Sequence, residues 1–174
     1  MLLEPESFRD ERGFFLETYN RRRYESIGVT EDFVQDNHSL SYQGVLRGLH
    51  TQPGQAKLVR CVAGSIFDVV VDLRRSCPQV HWRAEVLTAE NRRQMYVPPG
   101  FAHGFFVMST TAEVEYKCTE YYSPNLEQAI AWNDSTIGVE WPIPRGVSPI
   151  LSERDDNALT LREHQHDGRF IFSG

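Results

Sequence analysis

The chain has 174 residues, 40% hydrophobic and 24% charged, with a formal net charge of −6, a mixture suited to one globular domain with a sizeable core. The acidic balance excludes general nucleic-acid binding, which needs a basic footprint, and no apolar run approaches the ~20 residues of a membrane span. Cys61, Cys77 and Cys118 form an odd, widely spaced set; with a start that lacks a signal-peptide pattern, they read as reduced thiols of a cytoplasmic protein.

In chain order, Asp10–Glu17 reads as a turn entering a short strand, with Gly13 at the hinge. Residues 20–27 suit a short helix. Phe33–Ser39 is a polar strand whose odd positions, Phe33, Gln35 and Asn37, share a face with Ser39; alone it reads as a solvated edge. Val45–Gln52 suits a strand that is at least half buried. Strict alternation puts Gly48, His50 and Gln52 on one face and Val45, Arg47, Leu49 and Thr51 on the other. His50 then points inward, equally a bonded core histidine or a proton-transfer group.

Lys57–Ala63 and Ser65–Leu73 read as a hairpin through Gly64. Lys57 is either a solvated strand end or a cation facing a pocket. Strands follow at Val80–Leu87 and Arg93–Val97. Pro98–Gly104 reads as a rigid turn that carries His103, and Phe105–Met108 with Ala112–Cys118 as the next hairpin. Tyr116 alternates with Val114 and Cys118, so it points inside with a hydroxyl that needs a partner. From Tyr121 onward the chain reads as loops with one short helix or none, and residues 157–174 as a polar tail. Regular strand spacing with few helical stretches predicts an all-β sandwich or barrel. No solenoid repeat or low-complexity linker divides residues 1–174, which read as one domain.

A metal site needs about three or four converging ligands. His50 and His103 each stand without a nearby histidine or glutamate in sequence, so no metal is expected. Phosphate-cradling glycine motifs and a serine-hydrolase elbow are absent from the sequence as well.

Phe8–Phe15, Val34–Ser39, Leu46–His50 and Lys57–Cys61, with Phe67–Arg74, Pro99–Gly104, Tyr116–Tyr122, Trp132–Asp134 and Trp141-Pro142, together resemble the dTDP-4-dehydrorhamnose 3,5-epimerase family. The matches run in order from about residue 3 to 156. The resemblance implies a cupin-type jelly roll (a double-stranded β-helix) with short peripheral helices. It also implies a homodimer and an epimerase that uses no metal or other cofactor, acting on a dTDP-linked 4-keto-6-deoxyhexose. By the same resemblance, His50 falls on the general base, Tyr116 on the general acid, Lys57 on the cation near the C4 oxygen and Asp155 on the carboxylate that orients the base. Arg12, Glu17, Gln35, Asp36, Asn37, Arg47, His103, Glu127 and Arg154 fall on substrate-binding positions, and Tyr121 on an aromatic near the nucleotide base.

These residue types suit that chemistry. A C4 ketone acidifies the hydrogens at C3 and C5, and a neutral imidazole is a base near working pH. An ammonium stabilises the enolate, and a phenol on the opposite ring face returns a proton with inversion. Inversion at C3 alone or C5 alone, a ketoisomerase of the same fold, and a non-catalytic sugar-nucleotide binding module stay open at this point. Alternation also separates Arg47 from His50, although the resemblance assigns both to one site; either a bulge at Gly48 reconciles them or Arg47 reaches a different part of the site.

Overall fold

A computed structural model describes residues 1–74 and 80–166. Cys77, and residues 167–174 of the expected tail, lie outside the described residues. Among the described residues, twelve strands and three short helices build two five-stranded antiparallel sheets and one outlying hairpin. The first sheet runs β1 (Leu2–Leu3), β9 (Gln94–Val97), β6 (Lys57–Ala63), β11 (Thr111–Cys118), β4 (Gln35–Tyr42). The second runs β12 (Gln128–Ala129), β5 (Leu46–Thr51), β10 (Phe101–Val107), β7 (Ser65–Asp72), β8 (His81–Thr88). The hairpin pairs β2 (Ser7–Asp10) with β3 (Gly13–Leu16).

The two sheets face each other across an apolar layer of Val59, Cys61, Ile66, Val70, Phe105, Val107 and Val114, with Tyr116 packed against it. Each fully buried aliphatic side chain here contributes roughly 1.5–3 kcal/mol of burial free energy. The second sheet is buried on its outer face too, where Leu49, Val69, Val71 and Ala102 pack against Ile130, Ile137 and Leu161. That double burial explains the unbroken apolar run Val69-Val70-Val71, which alternation alone would not produce. The outer face of the first sheet meets Tyr24 of α1 (Arg21–Ser26), whose first turn is capped by the Asn20 side chain.

Several sequence expectations need correction. The link at Gly64 is a corner between sheets, not a hairpin: β6 pairs with β9 and β11, whereas β7 pairs with β8 and β10. Gly64 has φ +73°, and a Cβ there would lie 2.0 Å from the Thr111 carbonyl oxygen. The β10–β11 connection likewise crosses between sheets. In both cases flanking strands turn their apolar faces to the same core, so adjacency in sequence looks like pairing. The turn before His103 is shorter than expected, and His103 stands on β10 rather than in a loop. Beyond Tyr121 the described residues include two helices, α2 (Glu153–Asp156) and α3 (Leu161–His166). Leu161 and His164 are buried, so the chain is still packed where a polar tail was expected to have begun.

Candidate active site

The site forms inside the sandwich, where the interior changes from apolar to polar. β5 supplies His50, and β10 supplies His103 directly across the ladder from it. Between these strands the register slips: His103 pairs with His50, but Phe105 pairs with Arg47. Two steps on β10 therefore match three on β5, a bulge at Gly48 and Leu49. The extra residue turns Arg47 to the same side as His50, and both line a cavity of about 260 Å³ with Ser152, Arg154 and Asp155. Strict alternation along this strand was thus incorrect, and the bulge at Gly48 resolves the conflict.

Two glycines permit the slip. Gly48 has φ +136°, and an added Cβ would lie 2.5 Å from Gly104 Cα. A Cβ on Gly104 would in turn meet the Arg47 carbonyl oxygen at 2.8 Å. The backbones of β5 and β10 touch there because neither residue carries a side chain.

The His50 Nε2–H donates to Asp155 Oδ1 at 2.5 Å. Asp155 stands on α2, is 4% exposed at its side chain, and donates its backbone N–H to the Ser152 hydroxyl that caps the helix. Burial works against the charge on Asp155. The bond from His50, the Ser152 hydroxyl and the Gly48 backbone N–H outweigh it, and the carboxyl lies below its ordinary value. An ionised carboxylate on Nε2 leaves Nδ1 of His50 as the basic nitrogen.

Lys57 and Tyr116 face this interior from β6 and β11. Lys57 is the cross-strand partner of Cys118, two residues beyond Tyr116. Burial pushes the Lys57 ammonium below its ordinary value, opposed by the negative fields of Cys118, Glu127 and Asp68. Burial also raises the Tyr116 phenol, as do Cys118 and Glu127, with Arg47 acting against them. The phenol therefore stays protonated and can donate. On β4, Asn37 opposes Tyr116 and donates to Cys118 Sγ at 3.6 Å, while Gln35 donates to Asn37 at 3.0 Å. Arg154 pairs with Glu127 beside Asp155.

The structure sets His50, Arg47, Arg154 and Asp155 in one cavity, with His103 across the ladder from His50; Lys57 feels Glu127 and Arg154, and Tyr116 feels Glu127 and Arg47, from the facing sheet, where Gln35 and Asn37 join Cys118. Four residues assigned to the site do not converge on it within this chain. Asp36 alternates to the outer face of its sheet and pairs with Lys117 at 2.9 Å. Arg12 is exposed on the β2–β3 hairpin and pairs with Asp10. Glu17 bonds Asn20 and Arg23. Tyr121 is 70% exposed, though its carbonyl oxygen is held by the buried Gln52.

One further group emerges that the sequence reading passed over. Asp68 of β7 is fully buried and accepts from His103 Nε2 at 2.7 Å. Its signal was a lone carboxylate amid the apolar run Ile66–Val71, on the face shared with Ile66 and Val70.

The sequence pattern of dTDP-4-dehydrorhamnose 3,5-epimerase matches residues 1–163. The chain belongs to the dTDP-4-dehydrorhamnose 3,5-epimerase family. It is 52% identical over 166 residues to the dTDP-4-dehydrorhamnose 3,5-epimerase of Salmonella typhimurium, covering 92% of this chain and 90% of that protein. The dTDP-6-deoxy-D-glucose-3,5-epimerase of Legionella pneumophila, solved in complex with dTDP-4-keto-L-rhamnose, has 42% identity and a TM-score of 0.92. That match covers 99% of this chain and 93% of the Legionella chain. A 3′-monoepimerase of Streptomyces bikiniensis, solved with dTDP-quinovose, is similar at 32% identity and a TM-score of 0.88, over 97% of this chain and 87% of its own. The jelly-roll expectation from the motifs holds.

Proposed function

We propose that the chain is a 3,5-epimerase that converts dTDP-4-keto-6-deoxy-D-glucose to dTDP-4-keto-L-rhamnose in deoxysugar biosynthesis. The observation that carries the reading is the His50–Asp155 pair, set in one cavity with Arg47, in a chain of this family. Nδ1 of His50 removes the proton at C3 or C5. Asp155 stabilises the imidazolium that forms. The electron pair moves onto O4, where the Lys57 ammonium offsets the charge at low dielectric. Tyr116 returns a proton to the opposite face, and the configuration inverts. The exposed arginines Arg47 and Arg154 oppose the charge of the diphosphate. Higher identity to the 3,5-epimerase than to the 3′-monoepimerase favours inversion at both carbons.

The functional unit in this reading is a homodimer. The β2–β3 hairpin exposes Phe8, Phe14 and Phe15 at 54%, 56% and 70%, apolar surface that a second copy would cover. Arg12 and Glu17 then serve the partner's site rather than their own. A cytoplasmic location fits the free, buried thiols of Cys61 and Cys118. Among the described residues no helix is long and apolar enough to cross a membrane.

The test is position-resolved NMR of dTDP-4-keto-6-deoxy-D-glucose incubated with the protein in deuterated water. Deuterium entering at C3 and C5 with inversion is the expected result. Exchange at a single carbon would make it a monoepimerase, and binding without exchange would make it a binding module.

A further inference from the structure

Among the described residues the interior holds two imidazole–carboxylate pairs, and the second has no part in the proton transfers above. His103 and His50 are cross-strand neighbours, each with Nε2 on an aspartate: Asp68 for His103, Asp155 for His50. Asp68 is fully buried, and its second oxygen, Oδ1, has no hydrogen-bond partner among the described residues. A buried carboxylate with an open oxygen is costly unless a positive charge faces it. Lys57 projects from β6 on the face shared with Val59 and Cys61, and Asp68 from β7 on the face shared with Ile66 and Val70, so both enter the space between the sheets; the field of Asp68 favours the charged form of Lys57 and of the Met1 ammonium.

We propose, resting on the epimerase reading, that Asp68 is a positioning residue that fixes the tautomer of His103 and keeps Lys57 charged beneath the enolate oxygen. The Nε2–H of His103 is committed to Asp68, which leaves Nδ1 as the acceptor for a sugar hydroxyl. Lys57 meets a desolvated environment that favours its neutral, useless form. The groups acting on it are Cys118 of β11, Glu127 of the following loop, Asp68 of β7 and Arg154 of α2. Cys118 has its own thiol pushed up by burial, and Glu127 is already paired with Arg154. Of these groups, Asp68 is the buried carboxylate with an oxygen left open. Glu85 is the cross-strand partner of Asp68 on the β7–β8 ladder.

Asp68→Asn keeps the shape and removes the charge. Turnover at neutral pH should fall roughly 10–100-fold, as for other residues that orient a ligand-bearing histidine. The alkaline limb of kcat, where Lys57 loses its proton, should move to lower pH on the order of one unit. A folded Asp68→Asn enzyme with an unmoved alkaline limb would overturn the proposal. Nitrogen-15 NMR of the unmutated protein supplies a second measurement that needs no variant: His103 should be protonated at Nε2 and bare at Nδ1. The opposite tautomer would overturn it as well. The tautomer measurement uses no substrate, whereas absence of turnover in the unmutated protein would count against the epimerase reading instead.

Discussion

Arg47 and His50 line the same cavity, although strict strand alternation would set them on opposite faces. The bulge between them rests on Gly48 and its contact with Gly104. Gly48→Ala would place a Cβ against backbone at a φ that L side chains rarely adopt. It should cost about 1–3 kcal/mol of stability and remove most of the activity, because either Arg47 or His50 must leave the cavity. Denaturant unfolding and turnover together check this; an unchanged midpoint with normal turnover would show that the bulge is dispensable.

His50 is the proposed base, with its Nε2 already committed to Asp155. His50→Asn should abolish deuterium exchange at both C3 and C5 while dTDP still binds. Calorimetric titration with dTDP and NMR exchange read the two halves separately. Near-normal exchange in a folded variant would remove His50 from the mechanism.

Tyr116→Phe keeps the ring that packs on the apolar core and deletes the donor. Deprotonation by His50 and enolate stabilisation by Lys57 survive, so substrate protons should still exchange with solvent. Inverted product should fall by roughly 10²–10⁴-fold, the usual worth of a general acid, and exchange should fall less. Wild-type epimerisation by the variant would return Tyr116 to a packing role.

Asp155 is held below its ordinary value in the folded protein. The unfolded chain therefore binds its proton at higher pH than the folded one does. The stabilisation is fully present above the unfolded value of about 4 and is lost as pH falls through the lower folded value. Asp155→Asn should unfold with a shallower dependence on pH in that acid window, measured as denaturant midpoint against pH. An identical slope would mean that Asp155 gains nothing from its partners.

Treatment with a chelator should leave turnover unchanged. The described residues contain no group of three or more His, Cys, Asp or Glu side chains placed to hold a metal, and His50 and His103 each have one nitrogen on a carboxylate. Loss of activity with EDTA, restored by one divalent ion, would contradict the proposed proton-transfer mechanism.

The sequence by itself determined most of the longer strands and, away from the bulge at Gly48, the inward direction of their side chains, because alternation is a property of consecutive residues. Tyr116, Gln35 and Asn37 face the interior for that reason, and the motifs around His50 and Lys57 named the family. The same rule sends the Asp36 side chain outward, against the role its motif suggested. Only the tertiary structure decided which strands pair. Two expected hairpins are corners between sheets, since a strand edge carries no mark of its partner in its own sequence. The bulge that unites Arg47 with His50 depends on the contact of Gly48 with Gly104, residues 56 positions apart in the numbering. Asp155 reaches His50 across 105 residues, and Asp68 became visible only when β10 set His103 beside it. Burial of those carboxylates, and hence the charges they impose on the site, exists only once the sheets have closed over them.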